Sequence, residues 1–201
     1  MLNTPTRTLT SRTVFLLQDN VDTDQIIPAR YLKTTSREGL GQHLFADWRR
    51  DAAGQARPEF VLNGPQAQGA AVLVAGRNFG CGSSREHAVW ALRDYGFRAV
   101  VALSFADIFR NNALKNAVVP VQIEPDAHAR LVAAGGGEVT VDLVSSRITL
   151  PDRTSSPFPL EPFSRHCLIE GVDELAYLIA QEADIAAHER RNRILPKEQN
   201  P

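Results

Sequence analysis

The stretch Ala71–Leu92, AVLVAGRNFGCGSSREHAVWAL, decides the fold, because an apolar run enters a glycine-rich turn that opens onto a polar helix start. Ala71–Ala75 reads as a buried strand. Ser83, followed three residues later by Glu86, has the spacing of a capping box and predicts a helix beginning at that serine. Gly96 predicts its end. Between strand and helix, Gly76, Gly80 and Gly82 let the backbone turn sharply and come close to a ligand. The free N–H groups of a first helical turn, with the Arg85 guanidinium beside them, predict an anion site for a carboxylate or phosphate. An arginine at the positive end of a helix dipole is ill-placed unless an anion or a carboxylate side chain faces it.

Three common glycine-loop motifs fail against these letters. The dinucleotide fingerprint needs glycine or alanine where Arg85 stands. A phosphate-binding loop of the Walker type needs a lysine, and none occurs between Lys33 and Lys115. A hydrolase nucleophile elbow needs glycine two residues after its serine, but Arg85 follows Ser83 and Glu86 follows Ser84 at that place.

Outward from the signature, Thr13–Leu17 predicts a first strand, Asp19–Asp24 a loop, and Pro28–Leu32 a short helical turn. Gln42–Trp48 has helical character, while Asp51–Arg57 and Asn63–Gly69 read as connections. On the other side, Ala99–Leu103 is a second apolar strand, and Ser104 with Asp107 predicts the cap of a helix running to Asn116. Val118–Ile123 is a further strand, and Asp126–Ala134 a helix ended by Gly135–Gly137. Glu138–Leu143 and Arg147–Leu150 alternate as a hairpin across Ser145-Ser146. One closing helix is predicted over about 173–191, followed by a polar tail. The βαβα alternation implies an α/β fold whose sheet is mixed, partly parallel and flanked by helices.

The 201 residues, 43% of them hydrophobic, suffice for one compact domain over 1–201. A net charge of −1 without a long basic block gives no footprint for nucleic acid or a membrane surface. No apolar stretch approaches a membrane span, and the polar N-terminus lacks a signal-peptide core, so a cytoplasmic location is expected. Cys81 and Cys167 are the only cysteines, and neither belongs to a CxxC pair or a histidine-rich pattern, so no metal site is expected in this chain. Cys81 reads as a small residue filling a tight loop.

The signature, together with DNVDTDQIIPARYL (Asp19–Leu32), GLGQHLFADWR (Gly39–Arg49), PEFVLN (Pro58–Asn63) and SFADIF (Ser104–Phe109), resembles the swivelling domain of the aconitase superfamily in its separate small-subunit form. The resemblance spans nearly the whole chain apart from the extreme termini. It implies the superfamily's swivelling β/β/α fold and a hydro-lyase that moves a hydroxyl between adjacent carbons of a malate derivative through an unsaturated diacid. Ser83 matches the superfamily's catalytic serine, which acts as the base. The resemblance assigns Ser84, Arg85, Arg37 and Asp24 to substrate binding, with Lys33 the rival of Arg37 across a variable loop. The segment with Leu32, Lys33 and Thr34 falls where the substrate's third substituent is read.

A 4Fe-4S cluster held by three cysteine thiolates is implied too, and two cysteines place it on a large, cluster-bearing partner subunit, with a small dicarboxylic hydroxy acid as substrate. The acid implied is 2-isopropylmalate, interconverted with 3-isopropylmalate in leucine biosynthesis. Acids of the homoaconitate or citraconate and methylmalate type, or a non-catalytic carboxylate-binding module, are the alternatives. Two departures from the superfamily pattern lie outside this chemistry. Val89 stands where proline is common, and Ala117 where glycine often follows Lys115-Asn116, which predicts that Asn116 takes the left-handed geometry.

Overall fold

The apolar runs around Val72, Val100 and Val121 stand side by side as parallel strands, buried on both faces as continuous hydrophobic patterning requires. The computed structural model describes residues 5–33 and 35–191. In chain order the strands are β1 (Thr8–Leu16), β2 (Val72–Ala75), β3 (Ala99–Ala102), β4 (Val119–Gln122), β5 (Glu138–Asp142), β6 (Arg147–Thr149) and β7 (Ser155–Pro157). They form one sheet in the order β4-β3-β2-β1-β5-β6-β7, parallel from β1 to β4 and antiparallel from β1 through β5 to β7. The helices are α1 (Thr23–Ile26), α2 (Ala46–Arg49), α3 (Glu86–Tyr95), α4 (Asp107–Lys115), α5 (Pro125–Ala133), α6 (Pro162–Glu170), α7 (Glu174–Ala180) and α8 (Glu182–Arg191).

Alternation along the strands divides the core in two. Leu73 and Ala75 of β2 point to one face, where they meet Val89 and Leu92 of α3, Phe109 of α4, and Ile26 and Phe45 from the N-terminal connections. Val72 and Val74 point to the other face, toward Leu131 of α5, Val141 of β5 and Ile148 of β6.

Several boundaries differ from the sequence reading. β1 begins at Thr8 rather than Thr13, because Thr8–Arg12 pair antiparallel with β5 although mostly polar; Leu17 lies beyond its end, exposed. The short strand β7 and the helix α6 were not indicated by periodicity. The single closing helix over 173–191 is instead two helices. The Gln181 N–H closes α7 with a bond to the Leu178 carbonyl (3.0 Å), and α8 starts afresh when the Ile185 N–H donates to Gln181 (3.0 Å). The Ser104 capping box is absent too: α4 is preceded by Ala106, and the Ser104 hydroxyl accepts the Asn78 N–H (2.8 Å).

Asn116 does not take the left-handed geometry; Ala117 does, at φ 53°. The Asn116 amide is buried and committed elsewhere. It accepts from Trp90 Nε1 (3.0 Å) and donates to Glu86 Oε1 (2.7 Å) and to the Asn112 carbonyl (2.9 Å). An L-residue in that conformation costs about 1 kcal/mol, part of which the partly buried Ala117 methyl offsets by packing. Ala117→Gly is therefore expected to stabilise the protein by about 0.5 kcal/mol and raise the calorimetric Tm by roughly 1–2 °C. A lowered Tm would show that methyl packing outweighs backbone strain.

Candidate active site

The segment from Gly76 to Cys81 continues β2 beyond its carboxyl end, bonded on both sides to the segments that leave β1 and β3. On one side the Gly76 N–H donates to Gln18 (3.1 Å), Asn20 to Arg77 (2.8 Å), Gly80 to Val21 (2.7 Å) and Thr23 to Cys81 (2.9 Å), all onto carbonyls. On the other, Phe79 donates to the Ser104 carbonyl (3.0 Å) and Ala106 to Phe79 (3.1 Å). Asn20 and Asn78, both left-handed, are joined across the loops by a hydrogen bond that Asn78 Nδ2 donates to Asn20 Oδ1 (2.9 Å). The close approach explains two glycines. A Cβ at Gly76 would run into the Asp19 carboxylate, and one at Gly80, at φ 77°, into the Phe109 ring. Outside the carboxyl ends of parallel strands is where open α/β sheets bind ligands.

The predicted capping box at Ser83 does not form, although its letters fit. Ser83, Ser84 and Arg85 stay outside the helix, Ser83 in a bend and Arg85 extended, and α3 begins at Glu86. The reason is tertiary: Thr23 Oγ1 donates to the Ser83 carbonyl (2.8 Å), tying the segment to α1 before it can coil. Asp22, not Asp24, caps α1, in a capping box with Gln25 (2.8 and 2.9 Å). The Glu86 carboxylate is drawn away to Asn116. Ser83 and Ser84 are exposed, and neither hydroxyl bonds another described residue. Two hydroxyls thus face outward just ahead of a helix start.

Arg85 has found the carboxylate that its position demanded: its guanidinium pairs with Asp24, which α1 presents from across the groove. The arginine side chain is largely buried, at 16% exposure, and the aspartate about half exposed, at 54%. The hydrogen bond from Arg85 holds the Asp24 carboxyl below its ordinary range, against the opposing effect of burial. Arg85 is held more firmly protonated by the same bond. A depressed carboxyl contributes above its unfolded value, and that contribution is lost only as pH falls through the depressed one. The pair therefore stays charged throughout the neutral range.

Cys81 is half-buried in this loop. Burial and the charge of Asp22 push its thiol up, which disfavours the thiolate.

The aconitase C-terminal domain model matches residues 6–126. The 3-isopropylmalate dehydratase small subunit of Anaeromyxobacter dehalogenans strain 2CP-C is 60% identical over 185 residues, covering 92% of this chain and 97% of its own. That of Roseiflexus sp. strain RS-1 is 53% identical over 189 residues, covering 92% and 93%. A crystal structure of 3-isopropylmalate dehydratase from Methanocaldococcus jannaschii superposes with a TM-score of 0.65 at 32% identity, covering 90% of this chain and 99% of that one. The chain belongs to the 3-isopropylmalate dehydratase small subunits, within the aconitase C-terminal domain family.

The remaining residues expected of such a small subunit are more spread out. Leu32 is half-buried against the first core, Lys33 is exposed, and Thr34 lies outside the described residues. The turn leading into this segment is braced: Tyr31 stacks on His43 (3.8 Å between centroids, 9° between planes), and the Arg30 guanidinium covers Tyr31 while pairing with Asp47. Arg37 makes no hydrogen bond or ion pair with Asp24, Ser83, Ser84 or Arg85. It lies over the Trp90 ring of α3, 5.2 Å from the centroid, at the rim of a cavity of about 640 Å³ between α3, α4, α6 and α7. Trp90 and Asn116, which set this arrangement, were missed from sequence, because their contacts join segments far apart in the chain. Among the described residues no group of three or more His, Cys, Asp or Glu could hold a metal ion, and no helix is long and apolar enough to cross a membrane.

Proposed function

We propose that this chain is the small subunit of a two-chain hydro-lyase that interconverts 2-isopropylmalate and 3-isopropylmalate through 2-isopropylmaleate. The observation that carries the reading is the exposed Ser83-Ser84 pair beside an arginine that Asp24 already holds on one side. The relatives' names favour isopropylmalate over homoaconitate, citraconate or simple carboxylate binding. Arg85 grips a substrate carboxylate with the part of its fork that Asp24 leaves available, and Ser84 adds a hydroxyl donor. Ser83, as an alkoxide stabilised by Arg85 and the helix start, takes the proton from the carbon next to that carboxylate, becomes the neutral hydroxyl, and returns the proton on rehydration. As the carbon–hydrogen bond breaks, charge spreads into the carboxylate, and Arg85 is fixed in place to stabilise it.

The chain's two cysteines, one on the loop and one on α6, do not fit a three-thiolate cluster, so the 4Fe-4S group is assigned to a large partner subunit. That group supplies Lewis acid chemistry for the departing hydroxide. The test is anaerobic reconstitution with the large subunit, following the absorbance of the unsaturated acid after 2-isopropylmalate is added. Activity in the pair and none in the isolated chain is expected; a stable pair that acts only on another diacid would overturn the substrate assignment.

A further inference from the structure

We infer that Trp90 is a positioning residue for substrate binding, the platform on which Arg37 is seated. The inference rests on the assignment of Arg37 as the second substrate-binding arginine. Three contacts converge on this indole. Its Nε1 donates to the buried Asn116 Oδ1 (3.0 Å), the His87 ring lies against it (4.5 Å between centroids), and the Arg37 guanidinium covers its face (5.2 Å). The indole is thereby fixed in rotation by the α4 terminus, while its electron-rich face is left to a cation.

Arg37 sits within Thr35–Gly39, a wholly exposed run with no helix or strand, so its own backbone restrains it little. An arginine that must be ordered each time it meets a carboxylate loses binding free energy to that ordering, and a stacked guanidinium has given up part of that freedom beforehand. Stacking also leaves the N–H edge of the guanidinium available, since the face rather than the edge is used. α3 thus serves the site twice. Its first residue follows Arg85 directly, and its second turn carries the seat of Arg37.

The test uses the reconstituted two-subunit enzyme with Trp90→Leu, Trp90→Phe, Arg37→Ala and the Arg37→Ala/Trp90→Leu double variant, measuring KM, kcat and Tm. Both Trp90 variants lose the bond to Asn116 and should fall in Tm together, but only leucine lacks an aromatic face. Trp90→Leu is expected to raise KM about fivefold with kcat changed less than about twofold, and Trp90→Phe to restore most of that KM. In the double variant the Trp90 change should add nothing to the KM of Arg37→Ala. If Arg37→Ala raises KM but Trp90→Leu does not, or if the two effects multiply, the platform is wrong and the role of Arg37 stands. If Arg37→Ala leaves KM unchanged, the assignment of Arg37 fails and the platform with it. Equal KM values for leucine and phenylalanine at position 90 reduce Trp90 to a packing residue.

Discussion

Ser83→Ala is expected to lower kcat of the reconstituted enzyme about a thousandfold while leaving Tm and subunit assembly unchanged. The two halves of this result test different things. A serine that caps a helix contributes about 1 kcal/mol, and its loss would lower Tm by roughly 2–4 °C in a chain of this size. The structure removes that role, since α3 starts at Glu86 and the Ser83 hydroxyl bonds no described residue. Only the backbone carbonyl of Ser83 is used structurally, as acceptor for Thr23, and alanine keeps it. Turnover near that of the parent would sink Ser83 as the base. A lowered Tm with turnover retained would point to a capping geometry different from the one described.

Arg85→Lys is expected to raise KM about a hundredfold, because charge alone does not replace the fork. In place, the guanidinium pairs with Asp24, and on the proposed reading its remaining donors meet a substrate carboxylate. An ammonium at the same site is a point charge on a flexible stem, and it would be drawn to Asp24 with nothing fixing a second partner. Asp24→Asn should cost less, about tenfold in KM, since it removes the restraint on Arg85 but not the ligand. Because Arg85 holds the Asp24 carboxyl below its ordinary range, titration of Asp24 enters only on the acid side of the usual carboxylate range. The neutral-pH KM profiles of parent and Asp24→Asn should therefore run parallel. A parent profile that bends near pH 6 where the variant's does not would assign Asp24 a pKa far from that direction.

How far the letters carried depends on which force fixed each element. β2, β3 and β4 were legible because strands buried on both faces need uninterrupted apolar runs. The hairpin of β5 and β6 was legible because its buried residues alternate. The first half of β1, with Thr8, Thr10 and Arg12, has no such run; it is a strand only because β5 lies beside it. β7 is three residues of serine and proline at the sheet edge, where a missing N–H is tolerated. In the candidate site, the demand for a carboxylate facing Arg85 was readable from the helix dipole, and Asp24 meets it. The non-helical run ahead of α3 was not readable, because Ser-x-x-Glu satisfies the local rule and a contact with Thr23, 60 residues away, overrides it.

β1 lies at the middle of the sheet, between its parallel and antiparallel halves, and it precedes both of its neighbours in the chain. The Ser11 hydroxyl meets the chain 60 residues later, and the Thr10 hydroxyl meets its partner 130 residues later. β1 therefore waits for β2 until Val72–Ala75 have been made, and for its antiparallel neighbour until Glu138–Asp142 have been made. Pairings at such separations close late and slowly. Until β5 has been made, the antiparallel edge of β1 is open to strands of other molecules.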